Sequence, residues 1–288
     1  MSFGALSGLV RAWPDTVFWS APRVSEVLPV FFPGVPVIPS DAEPCEGFSR
    51  LLLLTDSFSS AFAGWKAGIR ERIGHTGQFR RAFLTRPLEA MPGRNHHHSL
   101  DYDRLASFAG AGPSSPPAPS AEPEGSAHIA VFAGAAYGAA KVWPGFAGLV
   151  RSLRGLYGLE VVLYGSGAEE ASLRELSRAS GGARVEADLE LDALCRRLRS
   201  AILAVGNDSG GVHLAAAIGT PTVALFGSTS PVWTSPRGRA VRVLAGSAQC
   251  SPCFRRSCRK GEMVCFRPIV ERDVLEAARG LTGGDVRG

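Results

Sequence analysis

AILAVGNDSGGVHLAAAIGTPTVALFGSTSPVWTSP, residues 201–236, is the stretch that decides the fold of this chain. Ala201–Val205 is an apolar run that predicts a buried strand, and a turn rich in glycine and small polar residues follows it. Leu214–Ile218 predicts a short Ala-rich helix that ends at Gly219. Thr222–Phe226 then predicts the next strand. A strand, a helix and a second strand in this order are typical of a parallel sheet covered by helices.

The turn of this unit has the composition of an anion-binding site. Asp208 and Ser209 are predicted as N-cap residues, so the free N–H groups of the helix point to the carboxyl edge of the sheet. Gly210 and Gly211 let a phosphate approach the backbone closely. Asp208 can accept hydrogen bonds from hydroxyl groups, and His213 lies one turn inside the helix. These residues predict a nucleotide-phosphate and sugar site, although an ordinary capped turn would use the same residues.

Residues 207–231, NDSGGVHLAAAIGTPTVALFGSTSP, resemble the donor-binding signature of the heptosyltransferases of lipopolysaccharide synthesis, glycosyltransferase family 9. The resemblance extends over nearly the whole chain. It implies a GT-B-type α/β fold, in which two Rossmann-like doubly wound domains face each other across a cleft. It also implies an inverting transfer of a heptose from ADP-heptose to the inner core of lipopolysaccharide, without a metal or another cofactor.

The composition is that of an ordinary globular enzyme, with 45% hydrophobic and 20% charged residues in 288. No apolar run approaches the ~20 residues of a membrane-spanning helix, and the N-terminus lacks the cleavage-site pattern of a signal peptide. The formal net charge of +5 favours anionic partners such as a nucleotide, a phosphorylated lipid or a membrane surface. No nucleic-acid-binding motif is present, so no nucleic-acid partner is expected.

A change in composition divides the chain. Residues 109–127, AGAGPSSPPAPSAEPEGSA, are rich in Pro, Ser, Ala and Gly and predict no regular element. We therefore expect a first domain over residues 1–110, a linker over 111–127 and a donor-binding domain over 128–288. Strands and helices alternate in the donor-binding domain as in a doubly wound parallel sheet. The predicted strands are His128–Phe132, Leu159–Tyr164 and Ala183–Ala187, and the predicted helices are Pro144–Tyr157, Glu169–Ser180, Leu191–Ser200 and Glu271–Leu281.

The first half shows a similar alternation but begins with a helix. Only Met1–Phe3 precede the predicted helix Gly4–Ala12, whereas a doubly wound domain normally opens with a strand and an active-site loop. By the resemblance, that loop carries a Gly-Asp pair whose Asp is the family's proposed general base, and neither Glu26 nor Asp56 occupies its position. We therefore expect an N-terminally incomplete first domain, either because the start codon is assigned too late, which we favour, or because the base is lost. The other predicted elements are the strands Thr16–Trp19, Val35–Ile38 and Leu51–Thr55 and the helix Phe58–Ala67.

Further donor-site residues follow from the resemblance. The loop GAAYGAAKVWP, residues 134–144, is similar to the family's loop ending in K-x-W-P, which makes Lys141 the expected partner of the pyrophosphate and Trp143 a packing residue. Glu169 has the spacing of the carboxylate that binds the ribose. A solvated lysine, and a carboxylate that only favours a helix N-terminus, remain the alternatives. The expected donor set is Ala136, Tyr137, Lys141, Glu169, Leu189, Asp208, Ser209, Gly210, Gly211 and His213, with Asp208 and Lys141 as the catalytic residues and Leu189 against the adenine.

Two stretches of the first half, residues 49–61 and 67–74, resemble the part of the family that faces the acceptor. The expected acceptor-binding residues are Ser57, Ser59, Arg70 and Arg72, with Arg80 and Arg81 also suited to a phosphorylated sugar-lipid. A solvated basic face is the alternative interpretation. His96–His98 has the composition of a metal-binding tract, but the residues His98–Tyr102 favour the start of a structural helix.

Four of the six cysteines, Cys250, Cys253, Cys258 and Cys265, lie within sixteen residues. In a chain without a secretion signal this spacing permits a zinc or iron–sulfur site. Four nearby thiols in a loop whose basic residues face an anion are the default interpretation, because the resemblance implies no required metal. Cys195 lies on an apolar helix face and is expected to be buried, and Cys45 stands alone.

These observations lead to one main hypothesis and two alternatives. The main hypothesis is a heptosyltransferase that works in the cytoplasm, peripherally at the inner face of the inner membrane, with an ADP-sugar donor and a Kdo- or heptose-bearing lipid A acceptor. The first alternative is a catalytically inactive or truncated homologue that binds a nucleotide sugar. The second is an interaction module built on a four-cysteine metal site.

Overall fold

The structure, a computed structural model, describes residues 2–41, 46–112, 114–134 and 138–283. It divides into two compact units, Met1–Ser120 and Ala121–Gly288, and the division falls inside the predicted linker. The described part of residues 109–127 contains no helix or strand. The backbone N–H and the hydroxyl of Ser120 donate to the carbonyl oxygen of Val30 at 2.7 and 2.9 Å, which ties the end of the first unit to its interior.

The first unit holds parallel strands in two small sheets. Phe18–Ser20 (β1) pairs with Val37–Pro39 (β2), and Arg50–Leu53 (β3), Glu71–His75 (β4) and Arg86–Leu88 (β5) form the other sheet in chain order. The described helices of this unit are Phe3–Ala12 (α1), Pro22–Ser25 (α2), Leu28–Phe31 (α3), Phe58–Lys66 (α4) and Ser99–Phe108 (α5), and a 3₁₀ helix covers Arg80–Phe83.

Small residues bring α4 close to the second of these sheets. Ala61 is fully buried and packs with Leu53 of β3 and with Leu84. Gly64 lies so close to Leu51 that a Cβ atom at this position would collide with the leucine side chain. The inner face of α4 is therefore a flat strip of small residues against the sheet.

The second unit is built on a six-stranded, fully parallel sheet with the order β11-β10-β9-β6-β7-β8. Its first strand, β6, lies in the middle, with β9 on one side and β7 on the other. The strand order reverses between β6 and β9, and in open α/β sheets ligands bind outside the carboxyl ends of the strands at such a reversal. The strands are His128–Phe132 (β6), Glu160–Gly165 (β7), Arg184–Ala187 (β8), Ala201–Asn207 (β9), Thr222–Phe226 (β10) and Val241–Ala245 (β11).

Helices cover this sheet and close the main hydrophobic core. Phe146–Tyr157 (α6) places Leu149, Val150 and Leu153, all fully buried, against Ile129 and Val131 of β6. The remaining helices of the unit are Glu170–Ala179 (α7), Leu191–Ser200 (α8), Gly210–Ile218 (α9), Pro231–Thr234 (α10) and Glu271–Thr282 (α11), and 3₁₀ helices cover Ala139–Lys141, Gly167–Glu169 and Val264–Phe266.

The structure confirms the parallel α/β fold class and shifts several predicted boundaries. The predicted strand Ala201–Val205 continues to Asn207, because β10 and β6 pair with it over this length. The helix predicted from Pro144 begins at Phe146. The predicted strand Thr16–Trp19 is Phe18–Ser20, where pairing with β2 begins. None of the described helices is long and apolar enough to cross a membrane.

Candidate functional site

Asn207 lies at the carboxyl edge of the six-stranded sheet, where the strand order reverses. It ends β9, is fully buried, and its Oδ1 accepts from the backbone N–H of Trp143 at 3.0 Å. Its Nδ2 donates to the carbonyl oxygens of Ala133 at 2.8 Å and Gly134 at 3.2 Å. One side chain thus holds the two ends of the loop that follows β6. The sequence prediction missed this role, although Asn207 begins the NDSG motif.

Asp208 and Lys141 form a buried ion pair directly above this edge. Lys141 Nζ lies 2.8 Å from Asp208 Oδ2 and also donates to the Asp208 carbonyl oxygen at 3.1 Å. Asp208 is 5% exposed, and the side chain of Lys141 is 14% exposed. The structure therefore brings together the two residues predicted to be catalytic. Lys141 is a fixed cation at the edge rather than a solvated loop lysine.

The other oxygen of the Asp208 carboxylate faces two more side chains. His213 Nε2 lies 3.5 Å from Asp208 Oδ1, and the Thr234 hydroxyl donates to the same oxygen at 3.5 Å. Burial raises the pKa of the Asp208 carboxyl, but the hydrogen bonds from His213 and Lys141 outweigh burial and hold that pKa below its ordinary value. The prediction that Asp208 caps α9 is wrong, because its carboxylate serves this network. Thr234 was not predicted.

Ser209 and the two glycines shape the start of α9. Ser209 is the N-cap residue, but its hydroxyl makes no cap hydrogen bond and is buried without a hydrogen-bond partner in the described residues. Gly211 packs against Phe132 so closely that a Cβ atom would collide with the ring. Gly210 is exposed, with open space where a Cβ would lie. The turn thus leaves a hydroxyl and the first N–H groups of the helix available at the edge.

Glu169 lies at the neighbouring turn, after β7. Its Oε2 accepts from the backbone N–H and the hydroxyl of Ser166 at 2.8 and 2.7 Å, which is a capping box. Its Oε1 lies against Gly134, where a Cβ atom would collide with it. Glu169 therefore caps a 3₁₀ helix, and its other carboxylate oxygen lies beside the loop after β6.

The remaining predicted donor residues are less defined. Leu189 is half-buried in the loop between β8 and α8. Ala136 and Tyr137 lie outside the described residues. The loop after β10 adds polar groups that the sequence prediction missed, since Ser228, Thr229 and Ser230 are buried. The Ser228 hydroxyl also lacks a hydrogen-bond partner within the described part of the chain.

The cysteine-rich segment, residues 250–265, makes backbone hydrogen bonds to two of these loops. The backbone N–H groups of Cys253 and Phe254 donate to the Ser228 carbonyl oxygen at 3.0 and 2.8 Å. The Arg256 carbonyl oxygen accepts from the N–H of Ala140, next to Lys141, at 3.1 Å. The segment therefore joins the loop after β10 to the loop that carries the lysine.

The thiols of this segment have different environments. Burial and the neighbouring thiols raise the pKa of Cys265, whereas backbone N–H groups, chiefly that of Lys260, lower the pKa of Cys258. In the described ranges no group of three or more His, Cys, Asp or Glu side chains is arranged to hold a metal ion. Cys195 is fully buried as predicted, and burial raises the pKa of its thiol to about 12.

The predicted acceptor residues lie in the first unit, Ser57 and Ser59 at the start of α4, Arg70 beyond its end and Arg72 in β4. Ser57 is the N-cap residue, and its hydroxyl oxygen accepts from the Ser60 N–H at 3.3 Å. Ser59 and Arg70 are exposed. Arg72 donates through Nε to the Phe83 carbonyl oxygen at 2.6 Å and through its guanidinium to that of Ile69, so it braces the backbone.

Arg80 is buried instead of solvated. It is fully inaccessible, and its guanidinium donates to the carbonyl oxygens of Thr55 and Ser57. Burial lowers the pKa of Arg80, and the nearby Asp56 opposes this effect. Arg80 therefore supports the turn that leads into α4.

The histidine tract joins the start of α5. His98 Nδ1 and His96 Nε2 lie 2.9 and 3.2 Å from Asp101 Oδ2, and the Tyr102 hydroxyl lies 2.9 Å from His98 Nε2. The helix begins at Ser99, so this tract is the start of a helix as the sequence favoured.

The family model that describes glycosyltransferase family 9 (heptosyltransferase) matches residues 45–264, which is most of the chain. The chain belongs to glycosyltransferase family 9. The match confirms the resemblance that was first seen in residues 207–231. It includes the Asp208–Lys141 pair, Glu169 and most of the cysteine-rich segment.

Individual family 9 proteins match over parts of their length. Lipopolysaccharide heptosyltransferase 2 of Escherichia coli K12 is 30% identical over 237 residues, 69% of this chain and 66% of the relative. Lipopolysaccharide heptosyltransferase 1 of Pseudomonas aeruginosa is 36% identical over 95 residues, 33% of this chain and 27% of the relative. These matches thus span from about a quarter to just under two thirds of the relatives' length.

Solved family 9 structures share the fold. E. coli ADP-heptose lps heptosyltransferase II has a TM-score of 0.77 at 23% identity, covering 98% of this chain and 94% of that chain. E. coli heptosyltransferase WaaC, solved with ADP, has a TM-score of 0.67 at 18% identity, covering 96% and 93%. The likeness confirms the predicted GT-B fold class.

Proposed function

We propose that this family 9 chain transfers a heptose from ADP-heptose to the inner core of lipopolysaccharide, with inversion at the anomeric carbon. The observation that carries the proposal is the Asp208–Lys141 pair at the carboxyl edge, where the strand order reverses between β6 and β9. A cation and a carboxylate at this edge suit a negatively charged nucleotide joined to a sugar. The solved relatives E. coli ADP-heptose lps heptosyltransferase II and E. coli WaaC with ADP-2-deoxy-2-fluoro heptose support this choice of donor.

In the proposed reaction, the bond between the anomeric carbon and the ADP oxygen breaks while an acceptor hydroxyl gives its proton to a general base and attacks the opposite face of the sugar. Negative charge grows on the departing diphosphate, and Lys141 together with the N–H groups from Ser209 to Gly211 stabilises it. Asp208 holds the lysine and lies near the sugar, whose anomeric carbon becomes positively charged. The free oxygen of Glu169 accepts from the ribose, and Leu189 packs against the adenine.

The residues proposed to bind the acceptor lie in the first unit. Ser57, Ser59, Arg70 and Arg72 would contact the Kdo- or heptose-bearing core of a lipid A acceptor, with Arg70 best placed because its side chain is exposed. Since such an acceptor is anchored in a bilayer, the proposal places the protein at the cytoplasmic face of the inner membrane. The net charge of +5 supports contact with anionic lipid.

Nucleotide calorimetry tests the donor assignment. Purified protein should bind ADP more tightly than UDP or GDP, and Lys141→Met should weaken ADP binding while Lys66→Met, at the end of α4, should not. Equal affinity for the three nucleotides, or equal ADP affinity in both lysine variants, would contradict the assignment. Tight ADP binding without turnover on any acceptor would instead favour the inactive, nucleotide-sugar-binding homologue.

A further inference from the structure

The outer face of α4 is aromatic, although the outer face of a surface helix is normally polar. Phe58, Phe62 and Trp65 recur at spacings of four and three residues, which places them on one face of the helix. They are 44%, 39% and 50% exposed. Ala61 and Gly64, on the adjoining side of the helix, pack on the sheet. The aromatic side chains of α4 therefore lie beside the packed side of the helix and meet solvent.

Phe83 joins these rings into one cluster. Its ring centroid lies 5.2 Å from that of Phe58, 5.5 Å from that of Phe62 and 5.6 Å from that of Trp65. Phe62 also lies 6.1 Å from Phe58 and 5.6 Å from Trp65. We call these four residues the aromatic patch. It is a continuous apolar surface on the first unit rather than a scatter of single side chains.

Phe79 adds a fifth ring beside the 3₁₀ helix that carries Phe83. Its side chain is the most exposed large hydrophobic group described, at 96%. Phe79 and Gln78 have φ angles of +60° and +47°, a conformation that is costly for bulky residues. The aromatic ring of Phe79 is therefore held in water by a costly backbone conformation.

Basic side chains lie in the same elements. Lys66 follows Trp65 and is exposed, and Arg70 is exposed just beyond the end of α4. Arg81 lies in the 3₁₀ helix and pairs with Glu89 at 2.9 Å, but both side chains are well exposed, so this pair is weak. Aromatic rings with lysine and arginine beside them are typical of surfaces that bind the interface of an anionic membrane.

We propose that the aromatic patch and Phe79 dock on a bilayer that contains anionic phospholipid, with Lys66 and Arg81 against the lipid phosphates. The proposal rests on the proposed function, because a membrane-anchored acceptor requires the protein at the bilayer. It adds the surface that makes the contact. The rings enter the headgroup region, where their apolar faces leave water, and the basic groups remain at the level of the phosphates.

Vesicle binding tests this surface. The protein should bind vesicles of phosphatidylethanolamine and phosphatidylglycerol, and bind phosphatidylcholine vesicles far more weakly. Phe79→Ser should lower the partition constant about tenfold or more, because a whole ring no longer leaves water. Lys66→Ala should lower it about fivefold. The matched controls Val24→Ser and Arg11→Ala, exposed residues of α2 and α1, should bind as the wild type does.

Two further readouts separate docking from folding and from catalysis. Brominated lipids should quench the fluorescence of Trp65. The contribution of Trp65 is the difference in fluorescence between the wild type and Trp65→Phe. Phe79→Ser should keep the wild-type melting temperature, because its ring is 96% exposed, and should keep full transfer to a deacylated, water-soluble acceptor. It should lose most transfer to an acceptor embedded in vesicles.

Wild-type vesicle binding by both Phe79→Ser and Lys66→Ala, or no quenching of the Trp65 fluorescence, would overturn the proposal. So would equal binding to neutral and anionic vesicles. Failure of the wild-type protein to glycosylate the soluble acceptor would refute the proposed function instead, and the vesicle measurements would still decide the docking surface.

Discussion

Replacing Lys141 by Met removes one charge from the buried pair and keeps most of the packing of the side chain. Asp208, 5% exposed, then loses a charged hydrogen bond of 2.8 Å and keeps His213 and Thr234 as longer contacts at 3.5 Å. A hydrogen bond to a charged group contributes about 1.5–3 kcal/mol, and breaking a fully buried pair costs about 3–5 kcal/mol. Since two contacts remain, we expect Lys141→Met to lower the free energy of unfolding by about 1–3 kcal/mol at neutral pH.

The pH dependence of this loss follows from the lowered pKa of Asp208. A carboxyl whose pKa is lower in the folded state stabilises the fold above its unfolded pKa, and that stabilisation disappears as the pH falls through the folded pKa. Protonated Asp208 no longer attracts Lys141. The difference between the wild type and Lys141→Met should therefore be largest near neutral pH and shrink below pH ~4.

Three measurements test the substitution. Urea unfolding at a series of pH values gives the free-energy difference, and calorimetry with ADP gives the loss of affinity. If Lys141 stabilises the charge of the departing ADP, the transfer rate should fall by the equivalent of about 2–4 kcal/mol. Lys66→Met replaces a lysine outside the pair and should match the wild type in urea unfolding and in ADP calorimetry. An intact fold with unchanged ADP affinity would remove Lys141 from the donor site, and a pH-independent stability loss would refute the ion pair.

Three further predictions concern the donor-site residues and the reactivity of two thiols. Asp208→Asn should keep the fold, because an amide still accepts from the lysine, but should slow transfer in a steady-state assay; wild-type turnover would show that its charge has no role. Glu169→Gln and Gly134→Ala should weaken ADP binding to a similar degree in calorimetry, since a Cβ on the glycine would collide with the free carboxylate oxygen; unchanged affinity in both would exclude ribose binding there. Iodoacetamide should alkylate Cys258 well before Cys195, as mass mapping can show, because backbone N–H groups lower the pKa of the first thiol and burial raises that of the second. The reverse order would contradict these environments.

The sequence predicted the second unit well because its signals are local. Apolar runs bounded by Gly, Pro and small polar residues place β6, α8 and β10 at their observed bounds, and the NDSG turn falls at the carboxyl edge. The sequence predicted that Asp208 and Lys141 belong to one site, but it did not predict that they form an ion pair. Their contact joins residues 67 positions apart, and it depends on the reversal of strand order between β6 and β9.

Other features could not be read from the sequence because they depend on what a side chain meets in three dimensions. Asn207 has the composition of a turn residue but ties two loops together from the core. Arg80 resembles its surface neighbours in sequence and is nevertheless fully buried. Phe58, Phe62 and Trp65 have the spacing of a core-facing helix stripe, and only the packing of α4 through Ala61 and Gly64 shows that they face outward.

Direct transfer from ADP-heptose tests the central claim. Purified protein is incubated with ADP-heptose and a Kdo-bearing lipid A acceptor, and with UDP- and GDP-sugars in parallel reactions. Mass spectrometry measures the mass of the acceptor, and the amount of released ADP is quantified. We expect one added heptose for each ADP released, from ADP-heptose alone, with transfer strongly reduced in Lys141→Met. Transfer from a UDP- or GDP-sugar in preference to ADP-heptose, or full activity in Lys141→Met, would contradict it.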